Sequence, residues 1–249
     1  MIYYHYTDIN AFINILRYNQ IVMRATNCFY LNDQSEIKKG IQIAKDKFNI
    51  NFEEKIYNDI YLTSFSKEVD SNVAMWNTYG KDSTGIAIGF DSDLLDKGYN
   101  GMCVCDYGED KIVESFNTFG DLILHGALSN LDNGSTIHQG GDEQFRQQFY
   151  KLFLLTGCIA AKDKSFEYEN EVRYYVEVQD NSCIKYRTKN GYIVPFVEIG
   201  LSKDAIKKVI ISPMCHDDFI IKSVENFLEL NHYDLKAISI EKSKCPYRG

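Results

Sequence analysis

Along this chain, short runs in which apolar residues recur at every second position alternate with longer runs in which they recur at three and four. Ile2 to Thr7 has the first pattern and reads as a strand rich in Tyr. Asp8 suits a helix N-cap. Ala11, Phe12, Ile15 and Leu16 then follow at helical spacing, and Ile21 to Met23 is a short return strand leading into Arg24. Ile37, Ile41 and Ala44 lie on one stripe of a helix over 34–48. Ile60 to Ser66 is a strand ending in hydroxyls. Asp70 or Ser71 caps a short helix carrying Met75, Trp76 and Tyr79, which Gly80 stops. Thr84 to Phe90 and Met102 to Tyr107 are further strands.

The second half continues the alternation. Residues 111–131 are helical in pattern. The next ten carry Asn133-Gly134 and Gly140-Gly141, the chemistry of a loop. A long helix is predicted from about Gln144 to Ala161. Strands follow at Val172 to Val178, Ile193 to Ile199, Val209 to Ile211 and Leu235 to Ile240, with an amphipathic helix over 217–230. No linker, repeat or low-complexity tract divides the chain. Strands outnumber the helices that could cross between parallel neighbours. The expectation is one α+β domain over 1–249, built on a mixed or antiparallel sheet, with a helical insertion at about 111–161.

Composition narrows the function classes. A chain of 249 residues with 45% hydrophobic content can bury a full core. Its 18 Tyr and 15 Phe fill that core and can also wall a pocket for a planar ligand. The net charge of −8 excludes a global basic field for holding nucleic acid, though a local basic patch remains open. The seven Cys have no C-x-x-C pair, so they read as reduced buried thiols rather than a zinc site. No signal-peptide pattern opens the chain, and no apolar run approaches a membrane span. A cytoplasmic protein with no membrane association is expected.

Four islands mix polar and aromatic residues in ways a core would not choose. Tyr4-His5-Tyr6-Thr7 puts a His in an aromatic strand, as a satisfied half-buried residue or as a site group. Thr63-Ser64-Phe65-Ser66 precedes Trp76 and Tyr79, which share a helix face and either stack a planar ring or pack the core. In Tyr168-Glu169-Asn170-Glu171-Val172-Arg173-Tyr174, read as a strand, Glu169, Glu171 and Arg173 point to one side. They form a solvated ion-pair face or a catalytic carboxylate with neighbours that tune it. The tail Ser243-Lys244-Cys245-Pro246-Tyr247-Arg248 locks the last strand or brings Arg248 to the site.

The order His, then Ser and Tyr, then Glu resembles the His-Tyr-Glu layout of ADP-ribosyltransferases, in which a split sheet holds NAD in an extended cleft. The whole chain also resembles a bacterial family, domain of unknown function 2971, through YHYT at 4–7, LNDQSE at 31–36, SFS with D…MWNTY at 64–79, GIAIGF at 85–90, YENEVR at 168–173 and SKCPYR at 243–248. The transferase resemblance implies a split-sheet core and NAD as substrate, with no metal. It implies that His5 orients the NAD ribose, with Tyr6 and Thr7 beside it. Ser64 or Ser66 would support the nicotinamide end, Trp76 or Tyr79 would stack on the ring, and Arg24 would hold the pyrophosphate. Glu171 would be the catalytic carboxylate, with Glu169 the other candidate and Arg173 beside them.

Three function classes follow. The first is an NAD-dependent ADP-ribosyltransferase or NAD-cleaving bacterial effector, in a toxin or phage-defence setting that comes from the family resemblance. Its acceptor is a nucleic acid, a protein or water, and a regulatory partner protein is conceivable. The second is a metal-dependent nuclease using His5, Asp33, Glu36, Glu169 and Glu171 as oxygen and nitrogen ligands. The third is a non-catalytic module that binds a nucleotide or a partner. GIAIGF lacks the G-x-G-x-x-G spacing, which argues against a Rossmann dehydrogenase.

Overall fold

The Tyr-rich opening run is a strand, β1 (Ile2–Thr7), in the computed structural model, which describes residues 1–31, 36–49, 54–69, 72–80, 84–118, 156–189 and 191–246. Asp8 ends it and starts α1 (Ile9–Ile15), its carboxylate accepting from the Ala11 backbone N at 2.7 Å. The chain returns as β2 (Ile21–Asn27), four residues longer than its apolar start suggested, because Ala25, Thr26 and Asn27 are buried as well. Further on come β3 (Ile60–Ser66), α3 (Val73–Tyr79), β4 (Ile86–Asp91) and α4 (Ser92–Leu95). The cap of α3 is Asn72, whose side chain accepts from the Met75 backbone N at 3.1 Å. Asp70 and Ser71, the expected caps, lie outside the described residues.

Contacts group the chain into two compact units. The first is Met1–Leu31, Tyr57–Met102 and Tyr168–Gly249. The second is Asn32–Ile56 and Cys103–Glu167. The C-terminal part of the first unit adds β8 (Glu171–Glu177), β9 (Lys185–Lys189), β10 (Tyr192–Leu201), β11 (Ile206–Ile211), a helix at Phe219–Leu230 and β12 (Ser239–Lys242). The strand expected at 235–240 starts later because Asp234 turns the chain, its carboxylate accepting from the Lys236 backbone N at 3.0 Å. β9 has no counterpart in the apolar pattern, since Lys185, Arg187 and Lys189 occupy one of its faces.

The sheet of the first unit runs β12-β11-β4-β1-β3-β2-β10-β9. All of these pairs are antiparallel except β11 with β12. β8 lies along one edge of β3 over its whole length, from Ile60↔Glu177 to Ser66↔Glu171. The opposite edge of β3 is shared. β2 pairs there at Tyr61 and Leu62, and β1 pairs at Ser66. Between them, at Thr63, Ser64 and Phe65, the sheet splits. An α+β fold on a mixed, mostly antiparallel open sheet is therefore what the chain forms.

One face of this sheet carries Met23, Phe65, Ile88, Tyr174 and Val209, which bury against Phe12, Ile15 and Leu16 of the first helix and Val224 and Leu228 of the last. On the other face, Tyr6, Ala87 and Ile210 pack under Met75 and Trp76 of α3, with Cys245 of the tail. The second unit holds α2 (Glu36–Phe48), helical turns at 109–118 and 156–160, and a short parallel pair, β6 (Asp106–Tyr107) with β7 (Ala161–Lys162). The strand expected over 102–107 is broken at Cys105 into β5 (Gly101–Val104) and β6. Gly40 lets α2 approach residue 158 closely, where an added Cβ would sit 2.6 Å from the Cys158 Cα. Of the expected insertion at 111–161, residues 119–155 lie outside the described residues. All seven cysteines are free thiols, and burial pushes Cys28 up to about 12.

Two substitutions separate capping from core packing. Asp8→Ala is expected to cost about 1 kcal/mol and Phe12→Ala about 3–5 kcal/mol, read from urea unfolding midpoints. Equal costs would mean that α1 is not anchored by its apolar face.

Candidate functional site

On the edge of β3 that β1 and β2 share, the split leaves Ser64 without a strand partner, and a side chain takes that place. His5 Nδ1 donates to the Ser64 carbonyl at 3.0 Å. A carbonyl only accepts, so Nδ1 carries the proton and Nε2 carries the lone pair. The ring is half-buried and lies 5.7 Å from Phe65. Desolvation lowers its pKa below the usual 6.5, the Ser64 contact works against this, and the charge of Arg187 adds to the lowering. His5 is therefore neutral at pH 7. On the other side of the split, Thr63 Oγ1 donates to the Arg24 carbonyl at 3.4 Å.

Across β3 stands the second wall. Its strand β8 begins only at Glu171. Glu169 ends a 3-10 helix at Lys164–Glu169, and Asn170 turns the chain with φ 44, a conformation Asn tolerates. Glu169 is thus not on one strand face with Glu171 and Arg173, as the alternation suggested, because the left-handed residue between them breaks the period. Three donors fix this corner. Asn72 Nδ2 donates to the Tyr168 carbonyl, Ser66 Oγ to the Glu169 carbonyl at 2.8 Å, and the Lys67 backbone N to the Asn170 carbonyl at 3.0 Å. The Glu169 side chain then accepts from the Tyr79 hydroxyl at 2.8 Å. Glu171 pairs with Arg173 at 2.9 Å, their side chains 5% and 1% exposed.

The register ties several expected site residues to β3, with Tyr4, Ser64, Ser66, Glu171 and Arg173 on one face of the sheet and His5, one residue on from Tyr4, starting from the other. Ser64 takes His5 on its carbonyl and pairs with Arg173 on β8, and Arg173 holds Glu171. Ser66 is fully buried at the same end of β3, facing Glu171 in the ladder. Other candidates go elsewhere. The Tyr6 hydroxyl donates to the Glu68 and Val69 carbonyls, and its ring meets Trp76 edge-on at 4.9 Å. Trp76 is 0% exposed, so its ring is packed as core, whereas Tyr79 is half-buried. Thr7 is buried beside Ile86. Arg24 is exposed on β2, with its guanidinium 5.0 Å from the Phe196 ring centroid.

Sequence reasoning missed Arg187, Phe196 and Asn72. Arg187 lies 5.7 Å from the same Phe196 ring, and its Nη2 donates to Thr26 Oγ1 at 2.8 Å. Asn190-Gly191, two residues between β9 and β10, is a hairpin signature that would have found this strand; Gly191 has φ 80. Among the described residues, no three His, Cys, Asp or Glu side chains gather as a metal site requires. Asp33 and the Glu36 side chain, named for such a site, lie outside them, as does Arg248. Among the described residues, no helix is long and apolar enough to cross a membrane.

A family model described as "Protein of unknown function (DUF2971)" matches residues 75–174. Over this stretch the chain is similar to that family. The DUF2971 stretch contains Trp76, Tyr79, Glu169, Glu171 and Arg173, and so includes both buried carboxylates with their partners. His5, Arg24, Ser64 and Ser66 lie before it. No curated protein and no solved structure matches the chain.

Removing one member of the buried pair is expected to cost far more than replacing both. Arg173→Ala should lower stability by about 3–5 kcal/mol, and Glu171→Gln with Arg173→Met should recover most of that loss. A double variant as unstable as the single one would show that the pair is not the source of the cost. The His5 reading carries a pH signature of definite sign. Its folded pKa is lowered, so the unfolded chain takes the proton first. The neutral ring's contribution is full above pH 6.5 and drains away as pH falls toward the folded value. The His5 ring should titrate below 6.5 by NMR, and His5→Gln should lose less stability than the parent between pH 7 and 5. A midpoint at or above 6.5 would contradict the desolvated, neutral state.

Proposed function

We propose that this protein breaks the nicotinamide–ribose bond of NAD and transfers ADP-ribose to an acceptor or to water. The observation that supports this reading best is the split at β3, with His5 engaged on one edge of the strand and the Glu171–Arg173 pair on the other. In the reaction, the electron pair of the glycosidic bond leaves with nicotinamide, which departs neutral. Positive charge develops at the ribose C1′ and ring oxygen. Glu171 is the carboxylate that faces this charge, and Arg173 is a positioning residue that fixes its rotamer. A buried carboxylate stabilises such a centre far more than one in water does. Neutral His5 offers Nε2 as an acceptor for a ribose hydroxyl. The acceptor's oxygen or nitrogen then bonds to C1′, and its proton passes to a carboxylate, for which Glu169 is the candidate.

The setting this chemistry suits is a bacterial effector of the toxin or phage-defence type. A second reading, a module that binds a nucleotide without turnover, is favoured by the depth of the two carboxylates. Glu169 and Glu171 are 3% and 4% exposed and already engaged by Tyr79 and Arg173.

Incubation with NAD, followed by chromatography of free nicotinamide, separates the two. Release is expected from the parent protein, with a fall of about 100-fold or more in Glu171→Gln and a clear loss in His5→Ala, both variants remaining folded by circular dichroism. Binding of NAD by heat protection without any release would select the non-catalytic module. Neither release nor protection would overturn the NAD reading.

A further inference from the structure

On the sheet face that carries Arg173 and Ser64, the edge beyond the split is basic. Phe196 on β10 stands between β2 and β9. Its neighbour in register on β2 is Thr26, and on β9 it is Lys185. Arg24 and Arg187 approach its ring from these two strands, at 5.0 and 5.7 Å. Glu198 is the single carboxylate on β2, β9 and β10, and it is already held by Arg17 at 2.8 Å and Lys185 at 2.7 Å. Glu198 stands opposite Arg24 in register, yet its ion pairs go to Arg17 and Lys185, and among the described residues no ion pair forms to Arg24 or Arg187.

Two guanidiniums beside one another repel, and arginine cannot relieve this by losing its proton. Desolvation and the charge of Arg24 both press on Arg187, whose own charge acts in turn on half-buried Lys189 and on His5. A multiply charged anion removes that cost. Guanidinium forks match phosphate oxygens, and the ring of Phe196 gives them a flat support that excludes water from one side. Arg24 belongs to the strand whose carbonyl closes the split at Thr63, so this face adjoins the gap that His5 fills.

We propose that Arg24 and Arg187, flanking Phe196, form a phosphate-binding site for the diphosphate or phosphodiester part of a nucleotide-type ligand. The NAD reading supplies one source of that ligand, the diphosphate of NAD, and the proposal depends on it only for that identity. The phosphates of a nucleic-acid acceptor are the other source.

The test is titration of the purified chain with inorganic pyrophosphate, ADP-ribose and a short single-stranded oligonucleotide, beside Arg24→Gln and Arg187→Gln. Affinity for the anion should fall roughly tenfold or more in each variant, as expected for loss of one charge-assisted fork. Arg187→Gln also loses the bond to Thr26. If it fails to fold, exposed Arg24→Gln, with Arg24→Lys as the conservative control, decides alone. Binding of ADP-ribose but not the oligonucleotide assigns the site to NAD, and the reverse assigns it to the acceptor. Either outcome supports the site. Pyrophosphate binding lost in the variants while no nicotinamide is ever released keeps the phosphate site and overturns the NAD reading. Nicotinamide release with an unchanged KM and unchanged anion affinity in the folded variants overturns the phosphate site alone. So does the absence of anion binding by the parent protein.

Discussion

Backbone polar groups inside a protein must find partners, and β3 cannot find all of its own in the sheet. β8 satisfies one edge completely, but β1 and β2 meet the other edge only at its two ends. The carbonyl of Ser64, exposed between them, is answered by an imidazole. That hydrogen bond holds His5 at the split and sets its tautomer. Desolvation there sets the charge state in which His5 meets anything that enters. The same strand delivers Arg173 and Glu171 on its far edge through an unbroken antiparallel register.

The corner at Tyr168–Asn170 depends on the same logic. Three consecutive carbonyls lie there, and they are taken by the last residue of β3, the residue after it and the cap of α3. This corner fixes where β8 starts and hence which side chains share its face with Ser64. It also separates the roles of the two glutamates. Glu169 is turned to Tyr79, inside the DUF2971 stretch, while Glu171 is locked to Arg173. Arg173 is almost fully buried, so the ion pair is held without water to compete for it.

Charge is distributed unevenly across this framework. The chain as a whole carries −8, yet the strands beyond the split present arginine and lysine with one carboxylate among them, and that carboxylate is already neutralised. Cation–π attraction to one ring, Phe196, favours both guanidiniums near it, at 5.0 and 5.7 Å. The result is a positive field reaching His5 from a protein whose net charge gives no hint of it.

The periodic pattern was enough to reveal the strands of the core, the N-cap at Asp8 and the α+β class, because those depend on local alternation and on side chains that must leave water. His5, Glu171 and Arg173 stood out as polar residues among aromatic ones. Four things were not legible. β9 carries charges rather than apolar residues, so no alternation marked it. The break at Asn170 depends on a single left-handed residue held by distant donors. The burial of Trp76 follows from Tyr6 and Ile210, far from it in the chain. The split itself is a property of three strands at once, since it arises only where β1 and β2 diverge along one shared neighbour. Local sequence determines which segments extend or coil, whereas the sharing of one strand's hydrogen-bonding edge among partners from across the chain is decided only when the sheet is assembled.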